Sequence, residues 1–181
     1  MSRPTKRHRA RRRTLAALIV AVGVAGSATA IADMATARSF TLNVKKDVHV
    51  TNRPFKMFAV RAVNTHEAVA VGPSGFAVYT FQGETPHHLI CTSRGANGCL
   101  GFWPPVTVNS AKGLKLAPGI TGTLGTFHRK GLGLQLTLNG QPLYYFSPDL
   151  SSGNKRLATS DETKSFGSIW HIVKADRAVR R

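Results

Sequence analysis

The stretch that decides the fold is GFAVYTFQGE, residues 75–84, because it recurs 65 residues later as GQPLYYFSPD, residues 140–149. Five positions match and give the motif G-x-x-Φ-Y-x-F-x-x-[DE], in which Φ is an aliphatic residue. A tryptophan follows each copy, Trp103 after the first and Trp170 after the second. Such an internal repeat indicates one supersecondary unit used twice, each copy covering apolar surface of the other.

Each copy is predicted to form a β-hairpin. In the second, GLQLTL (133–138) alternates apolar and polar residues, Asn139-Gly140 suits a type I′ turn, and QPLYYF (141–146) returns. In the first, EAVAV (67–71) turns at GPSG (72–75) and returns as FAVYTF (76–81). The segment 39–50 also alternates, and strict helical periodicity is hard to find after Ala32, where only residues 168–180 fit either a helix or a strand. We therefore predict an all-β fold, a compact single domain built as a small barrel or sandwich, with motif copies over 75–103 and 140–170.

The motif side chains are expected to be mainly structural. Strand alternation places the tyrosine and phenylalanine of each copy on one face, which favours core packing, with a ligand-stacking platform as the alternative. The acid that closes each copy lies where the strand ends, which predicts a turn or cap interaction with backbone N–H groups. The motif residues are Tyr79, Phe81, Glu84, Trp103, Pro104 and Pro105 in the first copy, and Tyr144, Phe146, Asp149 and Trp170 in the second.

Both cysteines of the chain, Cys91 and Cys99, lie in ICTSRGANGCLGFWPPV, residues 90–106. A disulfide is the leading interpretation, and for so short a loop it would stabilise the fold by roughly 2.5 kcal/mol. The alternative is a zinc site completed by His87 and His88. The spacing differs from the usual C-x₂₋₄-C and H-x₃₋₅-H pairs, and C-x-x-C redox spacing is absent. Trp103-Pro104-Pro105 then predicts a rigid, extended exit from the loop.

The polar segment 147–168 lacks a strand pattern and is rich in Ser, Gly, Asn and Asp. This composition predicts a mobile loop. Asp149, Asp161 and Glu162 could collect calcium there, but the D-x-[DN]-x-[DN]-G spacing of a calcium loop is absent.

The first 32 residues are predicted to be a signal peptide. Seven basic residues up to Arg13 precede an uncharged run that ends in small residues, as an export signal does. The alternative is an uncleaved N-terminal anchor, because the run approaches the roughly 20 apolar residues that span a bilayer. Residues 33–181 would form the single domain, located in the cell envelope or secreted.

The charge of the chain favours anionic partners. Seven of its 25 Lys and Arg residues lie in the predicted signal peptide, which leaves 18 after Ala32. All eight acidic residues also lie after Ala32, so this part of the chain has a net charge of about +10. Outside a cell this field suits an anionic cell-wall or membrane surface. The basic residues are dispersed, as on a surface that only maintains solubility. The sequence lacks a basic stripe interleaved with aromatic residues, so it does not predict a specific nucleic-acid partner.

Common catalytic motifs are absent from the sequence: it has no G-x-S-x-G, no Walker A and no G-x-G-x-x-G. His66-Glu67 begins H-E-x-x-H, but Ala70 stands where the second histidine is required. We therefore predict a non-enzymatic binding or structural module without a cofactor. The alternative is a metal-, haem- or electron-transfer-associated accessory protein, based on His87, His88, His128, His171 and the two cysteines.

These motifs in this order resemble the bacterial secreted-repeat family, predicted lipoproteins with a Y-x-[FWY]-x-x-D motif. The resemblance covers about residues 72–173 and implies an extracytoplasmic location and this architecture, without an activity. Glu84 replaces the family's aspartate, the cysteines are more widely spaced, and the lipobox is missing. The matching segments are Val78-Tyr79-Thr80-Phe81, Cys91 and Cys99, Trp103-Pro104-Pro105-Val106, Leu143-Tyr144-Tyr145-Phe146 with Asp149, and Gly167-Ser168-Ile169-Trp170.

Overall fold

A computed structural model describes residues 40–176, which form two β-sheets. A three-stranded sheet has the order β2-β1-β8, and a seven-stranded sheet has the order β4-β6-β7-β3-β10-β9, with β5 also paired to β6. The strands are β1 (Asn43–Thr51), β2 (Asn64–Val71), β3 (Tyr79–Phe81), β4 (Thr107–Val108), β5 (Leu124–Arg129), β6 (Gly133–Leu138), β7 (Gln141–Tyr144), β8 (Leu157–Ala158), β9 (Thr163–Ser165) and β10 (Ser168–Ile172). Three short helical segments complete the fold: a 3₁₀ helix (Arg53–Phe58) and the α-helices Cys99–Phe102 and Ser147–Ser152.

The predicted all-β single domain is confirmed, and its architecture is that of a sandwich. The sheets meet at the end of β2, and one of the contacts there is a bridge from Val69 to Lys174 in the segment that follows β10. Backbone bonds from Ala70 N–H to the Val173 carbonyl and from Ala175 N–H to the Ala68 carbonyl reinforce this contact. Within residues 40–176 the strands do not close into a barrel, so of the two predicted forms the sandwich fits.

The second hairpin forms as predicted. β6 and β7 are antiparallel, with Leu138 paired to Gln141 across the two-residue turn. Asn139 and Gly140 both have positive φ, 52° and 77°, as a type I′ turn requires. The side chain of Asn139 also accepts a hydrogen bond from the N–H of Thr123, which ties the turn to the start of the neighbouring strand.

The first hairpin forms only next to its turn, and its two strands then separate, which corrects the sequence prediction. β2 and β3 lie in different sheets and are joined by one bridge between Val71 and Ala77 and by a bond from Val78 N–H to the Ala70 carbonyl. The reason is competition between partners: β2 pairs along its whole length with β1, whereas β3 lies between β7 and β10.

The prediction of a mobile loop over residues 147–168 is wrong. The segment contains the helix Ser147–Ser152 and strands β8 and β9, and Asp149 and Asp161 within it are each 1% exposed. Residues 151–156 are exposed, but the polar side chains of residues 159–163 and Asp149 bond inward to other parts of the segment and to β10, so much of the polar composition here reflects buried hydrogen bonding.

The core lies on both faces of the central strands. Tyr79 and Phe81 of β3 face one buried cluster, as Tyr144 does from β7, while Val78 and Leu143 face a second cluster. The predicted core packing of the motif aromatics is thus observed. Pro104 and Pro105 continue the sheet as an extended segment, bridging to the end of β7.

The predicted signal peptide, residues 1–32, lies outside the described residues, as does the last stretch of the chain from residue 177. From residue 40 to residue 176, no helix has the length and apolar character needed to cross a membrane.

Candidate functional site

Cys91 and Cys99 form a disulfide, with 5.3 Å between their Cα atoms, and both are buried. The predicted staple is confirmed, and it indicates an oxidising compartment. Because both sulfurs are bonded to each other, the alternative zinc site of His87, His88, Cys91 and Cys99 lacks its thiolate ligands. Both histidines lie exposed on the loop that follows the first motif.

The acid of the second motif binds the tyrosine of the first. Tyr79 donates a hydrogen bond of 2.7 Å to Asp149 Oδ2, and both side chains are almost completely buried. Asp149 Oδ1 accepts from the backbone N–H and the hydroxyl of Thr159, at 3.0 and 2.5 Å. The predicted cap interaction is therefore present, and it anchors the segment between the helix Ser147–Ser152 and β9.

The acid of the first motif binds the tyrosine of the second in the same way. Tyr144 donates a hydrogen bond of 2.7 Å to Glu84 Oε2. Glu84 Oε1 accepts from the backbone N–H groups of Ile90 and Cys91, both at 2.9 Å. Each motif thus satisfies the buried carboxylate of the other, and Glu84 fixes one end of the disulfide loop.

Arg129 makes the two pairs unequal. Arg129 is 5% exposed, and its guanidinium donates to the hydroxyl of Tyr144 at 2.6 Å, to Gln135 at 2.7 Å and to the Cys91 carbonyl. A buried cation therefore lies beside the Tyr144–Glu84 pair. The Tyr79–Asp149 pair has no such cation among its hydrogen-bond partners in residues 40–176. No local sequence pattern marked Arg129 as buried.

The two tryptophans stack at the centre of the domain. The rings of Trp103 and Trp170 are 3.6 Å apart and almost parallel. Phe81 of the first motif stacks on Trp170 of the second at 4.0 Å, while Phe146 of the second lies 4.4 Å from Trp103 of the first. The phenylalanine of each motif therefore packs on the tryptophan of the other motif, just as the acid of each motif binds the tyrosine of the other.

Burial raises the pKa of groups in both tyrosine–acid pairs. Burial, and secondarily the adjacent Asp149, raises the pKa of Tyr79, and burial together with Glu84 raises the pKa of Tyr144. Burial raises the pKa of Asp149 to about 6. Side chains so completely enclosed and bonded to one another cannot contact a substrate, so they hold the fold together.

The surface that stands out instead is the segment 53–62, RPFKMFAVRA, which we call the basic apolar segment. Its 3₁₀ helix has no buried residue. Met57 is 83% exposed, and Phe58 is 48% exposed. Residues 40–176 expose five large hydrophobic side chains, three of them in this segment: Met57, Phe58, Val60, Phe102 and Phe166.

The other two flank a groove of about 310 Å³ beside the segment, which we call the aromatic groove. Ser160, Thr163 and Ser165 also line it. The rings of Phe102 and Phe166 are 6.1 Å apart. Its aromatic walls are Phe55, Phe58, Phe102, Trp103, Phe146 and Phe166.

The position of Phe166 is unusual. It lies in the turn between β9 and β10 with a φ of 53°, a conformation that disfavours bulky side chains, and it is 38% exposed. Neither burial nor an ordinary turn preference accounts for a phenylalanine here. Neither Phe166 nor the basic apolar segment was expected from the sequence. The alternation of cations with large apolar residues in RPFKMFAVR, without strand or helix periodicity, was the available signal.

Comparisons with family models, with curated proteins and with solved structures found no match. The resemblance to the secreted-repeat family stays a prediction.

Proposed function

We propose that the protein is an exported cell-envelope protein and a non-enzymatic binding module that docks on an anionic membrane surface through its basic apolar segment and aromatic groove. The observation that carries this proposal is that three of the five exposed large hydrophobic side chains of residues 40–176, Phe58, Phe102 and Phe166, line one groove, and that the other two, Met57 and Val60, lie within two residues of Phe58 in the chain. A contiguous exposed apolar patch on a soluble domain is typical of an interaction site.

Charge favours a membrane as the occupant. Arg53, Lys56 and Arg61 alternate with the exposed apolar residues along the segment. Cations near an anionic leaflet contribute about 1 kcal/mol each, and apolar side chains that enter the headgroup region add to this. A surface that combines both is what an interfacial anchor requires.

We also infer that residues 75–103 and 140–170 are two copies of one structural unit. The exchanged tyrosine–acid bonds and the exchanged tryptophan–phenylalanine stacks support this, because equivalent residues make equivalent contacts in both directions. In this view the repeat supplies a rigid scaffold, and most of the docking surface is carried by segments outside the matched motif positions.

Vesicle co-sedimentation tests the docking proposal. Protein from an exporting host should bind vesicles containing phosphatidylglycerol, bind phosphatidylcholine vesicles much more weakly, and dissociate as salt rises, since charges are screened over ~8 Å at physiological ionic strength. Replacing Met57 and Phe58 by Ser should weaken binding about tenfold, because their apolar area no longer enters the interface.

A charge-matched pair of variants separates local from global electrostatics. Arg53→Glu with Lys56→Glu should abolish binding, whereas Lys112→Glu with Lys130→Glu, exposed cations on other parts of the fold, should weaken it only modestly. An equal loss of vesicle binding in the two variants would mean that net charge alone explains binding, and it would overturn the proposed docking site. The protein could instead bind isolated wall polymer equally well with and without the Met57 and Phe58 substitutions, and fail to bind vesicles. That result would identify the cell wall as the partner in place of the membrane.

A further inference from the structure

Asp161, Glu162 and His171 form a cluster of metal-binding side chains next to the aromatic groove. One potential ligand atom from each lies within 4.8 Å of the other two. Asp161 and Glu162 are neighbours in the loop before β9, and His171 is on β10, which pairs with that strand. Within the described residues this is the one group of three or more His, Cys, Asp and Glu side chains with such geometry.

Asp161 supplies a second, independent observation. It is 1% exposed, and its Oδ1 accepts the backbone N–H of Ile172 at 3.0 Å. Its Oδ2 is buried and has no hydrogen-bond partner in residues 40–176, which makes it the only such buried side-chain oxygen or nitrogen there. A buried carboxylate oxygen without a partner is costly, and a bound cation is one way to satisfy it.

We propose that Asp161, Glu162 and His171 bind a divalent transition-metal ion. Two carboxylates and an imidazole suit zinc or manganese, and three protein ligands leave a position open for solvent, whereas calcium prefers six to eight oxygen ligands. Ligand atoms held at ~2.1 Å around one tetrahedral ion lie about 3.4 Å apart, so side-chain movements of about 1 Å close the site.

The present partners of the cluster are replaceable. Glu162 Oε1 accepts from Arg61 at 3.1 Å and lies 3.2 Å from His171 Nδ1. The Arg61 side chain is 63% exposed, so it can swing into solvent when a cation takes its place at the carboxylate. His171 Nε2 is 3.3 Å from the Gln82 side-chain oxygen, and that contact can hold the ring in place.

The cluster lies next to the wall of the aromatic groove. The metal-binding proposal does not depend on membrane docking. Ser160 and Thr163, which flank the two acids in the chain, line the aromatic groove and are 2.7 Å apart at their hydroxyls. An ion bound at Asp161 and Glu162 would therefore rigidify one wall of that groove.

Calorimetric titration in the absence of lipid tests the site. Protein from an exporting host, treated with a chelator and exchanged into metal-free buffer, should bind one equivalent of Zn²⁺ and show a higher unfolding midpoint with it. His171→Gln should weaken zinc binding at least about tenfold. Arg61→Gln should strengthen it about tenfold, because the variant removes a cation that repels the ion.

The pair His66 and Asp47 offers a matched control, since it is also a histidine–carboxylate contact, at 2.9 Å, on the exposed surface. His66→Gln should leave zinc binding unchanged. Absence of one-equivalent binding, or equal loss in the two histidine variants, overturns the proposal. The Arg61→Gln variant keeps the proposal testable even if His171→Gln does not fold. Unchanged or weaker zinc binding by a folded Arg61→Gln protein also overturns the proposal.

Discussion

Among single residues, Asp149 shows most directly how burial sets chemistry. Burial raises its pKa to about 6, and the bonds from Thr159 and Tyr79 only partly offset that effect. Since the pKa is higher in the folded protein than in the unfolded chain, the folded state binds the proton more tightly. The stability that this adds is full below about pH 4 and is lost as the pH rises through about 6.

Asp149→Asn should remove this pH dependence, because the amide does not titrate. The free energy of unfolding of the wild type minus that of the variant should fall by about 2 to 3 kcal/mol between about pH 4 and pH 7. Urea denaturation of both proteins across this range measures it, and the comparison cancels groups common to both. A difference that stays constant with pH would contradict the raised pKa.

Arg129 carries a second prediction at this scale. Arg129→Met keeps the apolar stem and removes the guanidinium, which leaves Glu84 and Tyr144 buried without their cation. We expect a loss of about 3 kcal/mol in unfolding free energy, measured by urea denaturation.

Two comparisons make the Arg129 result specific. In a Glu84→Gln background the same substitution should cost clearly less, because no buried negative charge is left uncompensated. Arg94→Met, at an exposed arginine that contacts the Lys130 carbonyl, should change stability by no more than about 0.5 kcal/mol. An equal loss from Arg129→Met in the wild-type and Glu84→Gln backgrounds would mean that packing, and not charge, explains the effect.

The sequence predicted part of this residue-level picture. The strand-end acids were expected to meet backbone N–H groups, as they do, because that chemistry is local. Their tyrosine partners lie 60 and 70 residues away in the chain, and Arg129 reaches Tyr144 from a separate strand. Single-sequence patterns carry no information on such long-range pairs, so these contacts could not be predicted.

At the scale of elements, prediction succeeded where turn chemistry and alternation agree. Asn139-Gly140 fixes the second hairpin because its backbone can adopt positive φ at both positions. The first hairpin failed because β3 has better partners in β7 and β10 than in β2, a matter of tertiary packing. The basic apolar segment was missed because its apolar residues are not buried, which breaks the link between periodicity and burial.

The disulfide loop gives the prediction for an element. Replacing Cys91 and Cys99 together by Ser should lower the unfolding free energy by about 1 to 3 kcal/mol while far-UV circular dichroism stays native, since the loop is short. Glu84 and Ser93 hold the backbone of the two cysteines independently of the bridge. Thiol titration should find no free thiol before reduction and two after it. Two free thiols in the unreduced, denatured protein would rule out the bridge.

At the scale of the whole molecule, the exchange of contacts makes the two halves of the domain interdependent. Glu84 of the first half is hydrogen-bonded to Tyr144 of the second, and Tyr79 of the first half to Asp149 of the second. The central ring stack is formed by Trp103 from one half and Trp170 from the other. A half chain would have to bury a carboxylate or a tyrosine hydroxyl without its partner, at a cost of about 1 to 3 kcal/mol for each group, besides losing most of its core.

We therefore predict that residues 33–112 and 113–181, produced separately and divided at the exposed Lys112–Gly113 link, are each unfolded. Neither should show near-UV circular dichroism or a sigmoidal urea transition, whereas an equimolar mixture should regain the near-UV signal of the stacked tryptophans. The intact chain should unfold in one step, with tryptophan fluorescence and far-UV signals changing together. A cooperative transition in either half alone would show that the exchanged contacts are not required for folding, because that half would have formed its core without the partner residues.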